Sequence, residues 1–542
     1  MRGAIGLGAI LLVAPMGMGG VASAAPLHLG AARHTARPVD RAGNDALGRA
    51  AHLAARSVVS SIARVRPQIT CTDSWKAATS GLWNTATNWS TGSVPTSTSA
   101  ACITLAGTYT VTIENGATTG TLTLGGASGT QTLAVEGVPG TNSTLTLSTA
   151  TGSDIASSGV FVLDTQSSGG YAGLEGGSGV TLTNDGTFET TSESTNEDYI
   201  EANLTNDPGA SVSIAGVNTR QDSNTTTTNN GTFTVTAAGL LALSGSSTFI
   251  DSGGTLTDSG SLTVNGATFV QSGGAESGGT VALSNSSTLT DSAGAASFSM
   301  ANTDFLSGTI PSSQTLSVLG VPGTNSVCDL TANVTNNGTF ALDSQSGGGY
   351  AELSNDNVAA TTLTNNGTFK TVADGTNDTY IEANLTNTST GTVTIASSNS
   401  QQNESTTTTN SGTFNVSSGG LLALTGSAVF TDSAGTIGDS GTFTVNGSTF
   451  NQSGGVESGN TVALSSSSTL NDSAGGGFFS MANTIDLNGT IPSGQTVSVL
   501  GVPGANSIAH LGATGVTNDG TFVLDSQSGG GYADVNGGTL TN

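Results

Sequence analysis

The chain has 542 residues, 78 of them Gly, and a formal net charge of −26 at pH 7. Eight of the 11 basic residues lie in residues 1–68; of the 37 acidic residues, only Asp40 and Asp45 do. Residues 69–542 therefore carry three basic and 35 acidic residues, which gives a formal charge of −32. A surface of this sign repels phosphate and excludes nucleic-acid binding. Much Ser, Thr, Asn and Gly beside so many acids is typical of a soluble extracellular surface.

Residues 1–25 have the pattern of a secretory signal peptide. Arg2 precedes an apolar run, and Ala22-Ser23-Ala24 supplies a small-residue cleavage site. The apolar run is short and broken by Gly, which argues against a membrane anchor. No later stretch is apolar enough to cross a bilayer. The sequence therefore predicts a secreted or cell-surface protein with no transmembrane span in the mature chain.

Residues 26–68 form a basic segment rich in Ala and Arg. The favoured interpretation is a disordered linker or a pro-segment that is removed. The alternative is an amphipathic helix over 44–65 that contacts an anionic membrane surface or wall during export.

The three cysteines divide into a pair and a single residue. Cys71 and Cys102 flank the first compact segment, and we expect a disulfide between them in an oxidising compartment; two separate free thiols are the alternative. Cys328 stands where the other long repeats have Leu145 and Ala509, which predicts a buried small apolar side chain. No metal-ligand spacing is present.

Residues 69–130 contain all three tryptophans, Trp75, Trp83 and Trp89, followed by the first strand patterns. We expect this segment to cap the first exposed edge of a stacked β-structure. The alternative is a Trp-lined carbohydrate platform in which Trp83 and Trp89 contact a ligand.

A long internal repeat of about 182 residues organises the rest of the chain. The phrase that begins at Gln131 returns at Gln314 and Gln495, which defines copy 1 as 131–313 and copy 2 as 314–494. A third, truncated copy occupies 495–542 and stops within a turn pattern. We therefore expect the sequence to be a fragment of a longer protein.

A short period of about 20 residues lies within each long copy. Phe249 and Phe269 are 20 residues apart, and so are Phe430 and Phe450. Asn-rich turns ending in Gly lead into Thr-Phe strands, as at 336–340. A unit this short cannot bury an apolar face alone, so its neighbours must stack. The pattern predicts an all-β, right-handed parallel β-helix (solenoid) with coils of about 20–30 residues, Phe stacks inside and Asn ladders at the turns. Tandem β-sandwiches are the alternative.

The phrase G-x-W-x-x-x-x-N-W-S-x-G-x-V-P at 81–95, placed before strand repeats, resembles the start of repeat-rich bacterial secreted proteins. It is similar to autotransporter passengers and haemagglutinin-like adhesins. That resemblance implies a parallel β-helix displayed at a cell surface.

The most repeated exposed-looking phrase runs from Asp164 to Ala172 and returns at 343–351 and 525–533. Its Gly-rich loop carries one acid and one Tyr. The favoured interpretation is a long turn. The alternative is a binding loop in which Tyr171, Tyr350 and Tyr532 contact a glycan or protein ligand, or Asp164, Asp343 and Asp525 bind Ca²⁺. Separate copies of such a loop imply multivalent binding.

Catalysis has few candidate residues. After residue 68 the only His is His510, and no basic residue recurs between copies. Glycoside hydrolysis needs only carboxylates, so it stays possible. The candidate acid cluster is Glu197, Asp198 and Glu201, with Asp378 and Glu382 in copy 2. The favoured interpretation of this cluster is a solvated acidic turn and strand.

The sequence therefore favours a non-enzymatic, adhesin-like rod without a required cofactor. A polysaccharide-active β-helix enzyme is one alternative. An ice- or crystal-binding protein with Thr ladders, such as 225–228 and 406–409, is another.

Overall fold

The chain folds into a parallel β-solenoid of about 20 stacked turns, here called coils, with 62% strand and 1% helix. The structure is a computed structural model that describes residues 69–191, 196–355, 360–372 and 377–542. The predicted signal peptide and basic segment lie outside the described residues. The predicted parallel solenoid is confirmed. The tandem-sandwich alternative is wrong, because sandwiches are built from antiparallel sheets whereas the strands here stack in parallel registers.

The N-terminal segment contains six strands and one short 3₁₀ helix. These are β1 (Asp73–Ser74), β2 (Gly81–Leu82), the 3₁₀ helix (Ala86–Asn88), β3 (Ala100–Ile103), β4 (Tyr109–Ile113), β5 (Ala117–Thr119) and β6 (Thr121–Leu124).

Copy 1 contains 20 strands. These are β7 (Gln131–Gly137), β8 (Ser143–Leu147), β9 (Ser153–Ile155), β10 (Gly159–Thr165), β11 (Ala172–Asn184), β12 (Thr187–Thr191), β13 (Asp198–Asn206), β14 (Ser211–Ile214), β15 (Thr219–Gln221), β16 (Thr226–Asn229), β17 (Thr232–Val235), β18 (Leu240–Leu243), β19 (Thr248–Asp251), β20 (Thr255–Asp258), β21 (Ser261–Asn265), β22 (Thr268–Gly278), β23 (Val281–Ser284), β24 (Thr288–Ala295), β25 (Ser297–Ala301) and β26 (Thr303–Ile310).

Copy 2 and the truncated copy contain 26 more. These are β27 (Thr315–Gly320), β28 (Ser326–Asn336), β29 (Thr339–Ser344), β30 (Ala351–Ser354), β31 (Thr362–Asn365), β32 (Thr368–Val372), β33 (Thr379–Glu382), β34 (Asn384–Asn387), β35 (Thr392–Ile395), β36 (Ser400–Gln402), β37 (Thr407–Asn410), β38 (Thr413–Val416), β39 (Leu421–Leu424), β40 (Val429–Asp432), β41 (Thr436–Asp439), β42 (Thr442–Asn446), β43 (Thr449–Gly459), β44 (Val462–Ser465), β45 (Thr469–Gly476), β46 (Phe478–Met481), β47 (Thr484–Ile491), β48 (Thr496–Gly501), β49 (Ser507–Asn518), β50 (Thr521–Ser526), β51 (Ala533–Gly537) and β52 (Leu540–Thr541).

Alternation of side chains explains why these segments are strands. In β17, Phe233 and Val235 point into the solenoid while Thr232 and Thr234 point outward. Period-2 burial of this kind is the signature of a half-buried strand, and β-branched Thr and Val favour it. Within the described residues, no helix is long and apolar enough to cross a membrane.

Apolar side chains at equivalent positions stack along the interior. Phe161 packs on Phe188 and Phe340 on Phe369 with nearly parallel rings, and Phe249 packs in the same way on Phe269 one coil later. The centroid distances are 5.3, 5.6 and 5.3 Å. Parallel in-register strands place identical residues directly above one another at about 4.8 Å, so the predicted Phe stacks are confirmed.

Buried Asn side chains form the predicted ladders, one in copy 1 and one in copy 2. Each Asn donates its Nδ2 hydrogen to the Oδ1 of the residue one coil later, at 2.8–3.0 Å. The first ladder is Asn184, Asn206, Asn229 and Asp251, and the second is Asn336, Asn365, Asn387, Asn410 and Asp432. Most members also donate to a backbone carbonyl at the following turn. These polar side chains are fully buried but paired, which removes most of the desolvation cost.

The three faces of the solenoid carry different strands of the long repeat in each copy. In copy 1, β10 stacks on β7 and under β12. We call the strands stacked on one face a column. The sequence equivalent of β10 in copy 2, β29, lies in a different column from β10. That column consists of the start of β11, then β13, β15, β18, β21, β23, β25, β27 and β29. The equivalent in copy 3, β50, follows β46 and β48 in the third column. The long repeat is therefore not a whole number of coils, and each copy is turned by one face.

The aromatic segment caps the first coil, as predicted. β1 and β2 pair with β3 and β4. Trp83 and Trp89 are fully buried, with ring centroids 4.6 Å apart, and Trp75 packs edge-on against Trp89. The predicted ligand contacts of Trp83 and Trp89 are wrong, because both rings fill the capped end of the core and neither has an exposed face for a sugar.

The predicted disulfide is confirmed: Cys71 and Cys102 are bonded, with their Cα atoms 5.8 Å apart. Cys328 is buried and free, as its apolar counterparts indicate. The disulfide joins the start of the described chain to β3 and so fastens the cap to the first coil.

Replacing Asn387 by Ala tests the ladder. The change removes the donor to Asn410 and the acceptor of Asn365, leaving buried polar groups unpaired. We expect the free energy of unfolding, measured by urea denaturation, to fall by about 2–3 kcal/mol. Asn366→Ala is the control, because Asn366 donates to Asn337 on the solvent side, and it should cost less than about 1 kcal/mol. Equal costs for the two variants would contradict a stabilising role of the buried ladder.

Replacing both Cys71 and Cys102 by Ser tests the fastening of the cap. The bond closes a loop with a sequence separation of 31 residues. Losing it should lower the stability of the first coils by about 3–4 kcal/mol through loop entropy. Limited proteolysis should then cut first within 69–130, whereas the unreduced wild type resists. Unchanged cleavage in the variant would show that Trp packing alone holds the cap.

Candidate functional site

A cleft of about 710 Å³ opens beside Tyr171 on the outer surface of copy 1. We call it the Tyr171 cleft; the residues used below are Asn142, Gly169, Gly170, Tyr171, Glu197 and Tyr199. They come from three successive coils, whose long turns stack at one corner. The sequence-predicted Tyr171 therefore lies in a built concavity rather than on a plain turn.

Backbone contacts between stacked turns shape the cleft. Pro139 and Gly169 form an isolated bridge, and the Gly170 N–H donates to the Val138 carbonyl at 2.9 Å. The Tyr171 N–H donates to Asn142 Oδ1 at 3.2 Å, which fixes where the ring leaves the backbone. A Cβ on Gly169 would lie 1.8 Å from the Gly137 oxygen, so only Gly permits this approach.

Two tyrosines and a carboxylate provide the chemistry of the Tyr171 cleft. The rings of Tyr171 and Tyr199 meet edge to face, with centroids 5.2 Å apart at 80°. The Tyr199 hydroxyl donates to the carboxylate of Glu197. Arg220, paired in register with Tyr199, lies 3.8 Å from Glu197 and 3.2 Å from Asp222. The side chains offer an aromatic surface beside hydrogen-bond acceptors, with one cation near the acid.

Copy 2 repeats the arrangement around Tyr350, in a cleft of about 310 Å³ that we call the Tyr350 cleft. The rings of Tyr350 and Tyr380 have centroids 5.1 Å apart at 84°. The Tyr380 hydroxyl donates to Asp378 at 2.7 Å; burial and this hydrogen bond hold the pKa of Tyr380 well above its usual value. Gln401 takes the place of Arg220 and donates to Asp378 at 3.3 Å. The two clefts thus share rings and acid but differ in the neighbouring cation.

The third copy repeats the first part of this arrangement up to residue 542. The Tyr532 N–H donates to Asn506 Oδ1 at 3.2 Å, as its counterparts do. The Tyr532 ring is 53% exposed, and within 377–542 no second aromatic ring packs against it. Within the described residues, the third copy therefore repeats the positioned turn and the first tyrosine of the arrangement.

The clefts face different sides of the solenoid because each copy is turned by one face. Tyr171 directly precedes the start of β11, Tyr350 precedes β30, and these two strands belong to different columns. Tyr532 precedes β51, which stacks on β49 in the remaining column. Equivalent sites therefore point in different directions around the axis.

The predicted Ca²⁺ ligands are dispersed. Asp164 accepts a hydrogen bond from Thr191 one coil later, Asp343 lies on β29, and Asp525 is exposed on β50. No group of three or more His, Cys, Asp or Glu residues in the described part of the chain is arranged to hold a metal ion. Ca²⁺ binding stays a prediction that the side-chain geometry does not favour.

The candidate acid cluster is divided between the inner and outer sides of the chain at 197–201. Asp198 points into the solenoid, accepts a hydrogen bond from Thr165, and burial raises its pKa to about 8. Glu197 belongs to the Tyr171 cleft, and Glu201 lies beside Glu175 on the outer surface. Strand alternation separates Asp198 from the other two, so the three carboxylates do not converge on one substrate position.

The Thr ladders are narrower than a flat binding face requires. Thr225 and Thr227 are buried, so only alternate Thr residues of 225–228 face solvent. Thr226 continues into an outward Thr column, but the column of Thr228 passes through Ile250 and Val270. Thr406 and Thr408 of copy 2 are buried in the same way. This geometry does not favour the ice- or crystal-binding alternative.

Sequence reasoning did not assign Tyr199, Tyr380 and the Asn that positions each turn. The available signal was the spacing between tyrosines, 28 residues from 171 to 199 and 30 from 350 to 380, which is close to one coil. Stacking by one coil brings each pair into ring contact.

Comparison of the chain with models of known protein families and with curated protein sequences finds no match. The site is therefore interpreted from its own chemistry.

Replacing Gly348 by Ala tests the construction of the Tyr350 cleft. A Cβ there would lie 1.9 Å from the Gly320 oxygen, so the stacked turns must separate. We expect a loss of about 2 kcal/mol in unfolding free energy and a changed near-ultraviolet circular dichroism of the tyrosine pair. Gly253→Ala is the control, because nothing lies within 4 Å of its Cβ position. A Gly348 variant as stable as the control, with an unchanged tyrosine signal, would contradict the close turn stacking.

Proposed function

We propose that this chain is a non-enzymatic, exported repeat protein, an adhesin-like solenoid whose tyrosine clefts bind glycan chains. The observation that carries the proposal is the recurrence of one cleft in two copies, with the paired rings and the acid retained. The clefts require stacked turns that the Gly-rich phrases permit, so the repeats conserve a surface as well as a core.

The chemistry of the clefts favours an uncharged glycan. Tyrosine rings offer apolar faces to the C–H surface of a sugar, while their hydroxyls and neighbouring carboxylates and amides bind hydroxyl groups. The formal charge of −32 over 69–542 repels anionic polysaccharides. In the Tyr350 cleft Asp378 has amide and hydroxyl donors, from Gln401 and Tyr380, rather than a neighbouring Arg. Neutral hexose polymers therefore fit better than sulfated or uronic acid polymers.

The orientation of the clefts favours a three-dimensional matrix over a flat surface. Successive clefts lie on different faces, so two sites cannot both rest on one planar layer of ligands. Multivalent avidity needs a geometry in which both sites engage at once. Glycan chains that approach from different sides meet this condition, and one protein then links two of them.

Export is supported by two features. The first is the Cys71–Cys102 disulfide between the cap and the first coil, because disulfides are typical of an oxidising compartment. The signal-peptide pattern of residues 1–25 supplies the route. Polysaccharide cleavage remains the second candidate in principle, but the divided acid cluster gives it no specific support.

A binding series on the purified chain tests this function. Neutral oligosaccharides of several linkages are titrated calorimetrically to find a ligand. We expect two sites per chain. Tyr171→Ala and Tyr350→Ala should each raise the Kd of one site tenfold or more, a loss of about 1.4 kcal/mol in binding free energy, and leave the other site unchanged. The long form of the same polymer should be cross-linked by the wild type, seen as turbidity, and not by either single variant.

Tyr532→Ala is the matched control, because Tyr532 belongs to the same phrase and no second aromatic ring of residues 377–542 packs against it. It should leave both the stoichiometry and the turbidity unchanged. No binding of any neutral glycan, or binding that survives the Tyr171→Ala, Tyr350→Ala double variant, would refute the assignment of the clefts.

A further inference from the structure

Buried acids and amides continue the Asn ladders along the interior of each copy. The column in copy 1 runs through Asn229, Asp251, Gln271 and Asp291, and copy 2 repeats it as Asn410, Asp432, Gln452 and Asp472. All eight side chains are at most 2% exposed. The strands β22, β24 and β26, and their counterparts β43, β45 and β47, contain no Lys, Arg or His. These carboxyl groups are therefore buried without a cation.

The first acid in each column is surrounded by donors. Asp251 accepts from Asn229 Nδ2 at 3.0 Å and from Gln271 Nε2 at 3.2 Å, one on each oxygen. Asp432 accepts from Asn410 at 3.0 Å and from Gln452 at 3.5 Å in the same way. A carboxylate acts only as an acceptor, so both oxygens of these residues are satisfied in the ionised form.

The glutamine beyond that acid has a fixed orientation. Gln271 Nε2 donates to the Gly274 carbonyl at 2.7 Å as well as to Asp251, and Gln452 Nε2 donates to Gly455 at 2.7 Å. In each case the two neighbouring oxygens, one from the Asp and one from the Gly carbonyl, are acceptors. The amide nitrogen of the Gln must therefore point toward them, because the amide oxygen cannot donate a hydrogen bond to either. The Oε1 of each Gln is buried and has no donor.

The second acid completes this pair only when it carries a proton. Asp291 lies in register with Gln271, and Asp472 with Gln452, on adjacent strands. Asp472 Oδ2 accepts from Gln495, while its Oδ1 has no donor. Neither oxygen of Asp291 has a donor, and the amide of Gln314, the counterpart of Gln495, is unpaired beside it. Unpaired acceptor oxygens on two residues in register in a dry interior are costly, and a hydrogen on the carboxyl group can satisfy both residues.

We infer that Asp291 and Asp472 are proton-binding sites, each donating its carboxyl hydrogen to the Gln Oε1 of the preceding coil, and that the solenoid is built to be most stable in acid. The proton comes from solvent, and no other chemistry is involved. The unpaired Gln Oε1 and the acid in register with it recur in both copies.

Neighbouring groups strengthen this preference rather than oppose it. Nearly all titratable side chains near the two acids are themselves acidic. Around Asp291, on the strands packed against it and one coil beyond, they are Asp251, Asp258, Glu276, Asp304, Cys328 and Asp329. Around Asp472 they are Asp432, Asp439, Glu457, Asp486 and, beside Asp486, His510. Burial raises the pKa of Asp291, Asp472, Glu276, Glu457 and Asp304 to about 7. The only base among these groups is His510, whose contact with Asp486 lies on the solvent side.

The outer surface has the same preference. Residues 69–542 have 35 acidic side chains and three basic ones, so neutral solution gives them a large negative charge. Acid removes that charge without leaving many cations to repel one another. A chain adapted to neutral solution would gain from balancing cations, and this one has almost none.

The direction of the pH dependence follows from the raised values. An Asp or Glu has a pKa near 4 in the unfolded chain. Below about pH 4 both states hold the proton and the full stability is present; as pH rises to about 7, the unfolded chain releases protons that the folded interior retains, and stability falls. The window of loss therefore runs from about pH 4 to about pH 7.

Thermal unfolding of the full chain with and without the Asp291→Asn, Asp472→Asn pair tests the inference. Salt at about 0.5 M screens surface repulsion. The wild-type Tm should be higher at about pH 4 than at about pH 7.5 by roughly 5 °C or more. Asn donates a hydrogen at either pH, so the double variant should match the wild type in acid and exceed it at neutral pH. About a third of the pH effect should disappear, since six groups including Asp198 have strongly raised values.

The control variant Asp519→Asn, Asp534→Asn removes two exposed acids and the same formal charge. It should keep the wild-type pH dependence. Infrared spectra provide a second readout that does not depend on variant folding: at about pH 6 the wild type should retain the carbonyl band of un-ionised carboxylic acid, although exposed acids are ionised. A wild type more stable at neutral pH than in acid, or one without that band, would overturn the inference; so would a double variant with the full pH dependence.

Discussion

In-register stacking of each coil on the one before is the constraint on which the rest of the structure depends. A single coil of some 20 residues has no core, and its backbone donors and acceptors point along the axis toward its neighbours. Once two coils align, every side chain lies above its counterpart at about 4.8 Å. Each inward Phe must then pack against another apolar side chain, and each inward amide must hydrogen-bond to a polar side chain on the next coil. The Phe stacks and the Asn ladders are the residues that satisfy this condition.

The same stacking decides where the tyrosine clefts lie. The phrase with Tyr171 has no cleft within its own coil; the following coil supplies Tyr199 and Glu197, and the preceding coil supplies Asn142. Because the long repeat is not a whole number of coils, its copies advance around the axis as well as along it. A linear repeat in the sequence thus becomes a set of equivalent sites that face different directions, a consequence of how the strands divide among three faces.

Stacking also explains why acids lie inside this protein. An inward polar column is stable only while each donor meets an acceptor, and the Asn ladders meet that condition by pointing their amides the same way. Asp251 ends one run of donors, and the reversed Gln271 leaves an oxygen facing Asp291. A hydrogen-bonded column that reverses its direction needs either a cation or a proton. The strands β22, β24 and β26 offer no cation at this point, and the anionic surface likewise loses its repulsion in acid.

The sequence by itself determined the fold class, the two periods, the internal Phe and Asn positions, the cap and the disulfide. These follow from local alternation, turn chemistry and repetition, which act between residues that the sequence displays as equivalent. Only the tertiary structure decided that Trp83 and Trp89 are core, that Asp198 points inward while Glu197 points outward, and that Tyr171 meets Tyr199. Each of these depends on which face a residue occupies and which residue lies one coil away. Coil lengths vary, and residues that contact one another on adjacent coils are 17 to 33 positions apart in the chain. The register between coils, which decides the face and the neighbours of a residue, is therefore fixed by stacking and cannot be read from a constant spacing.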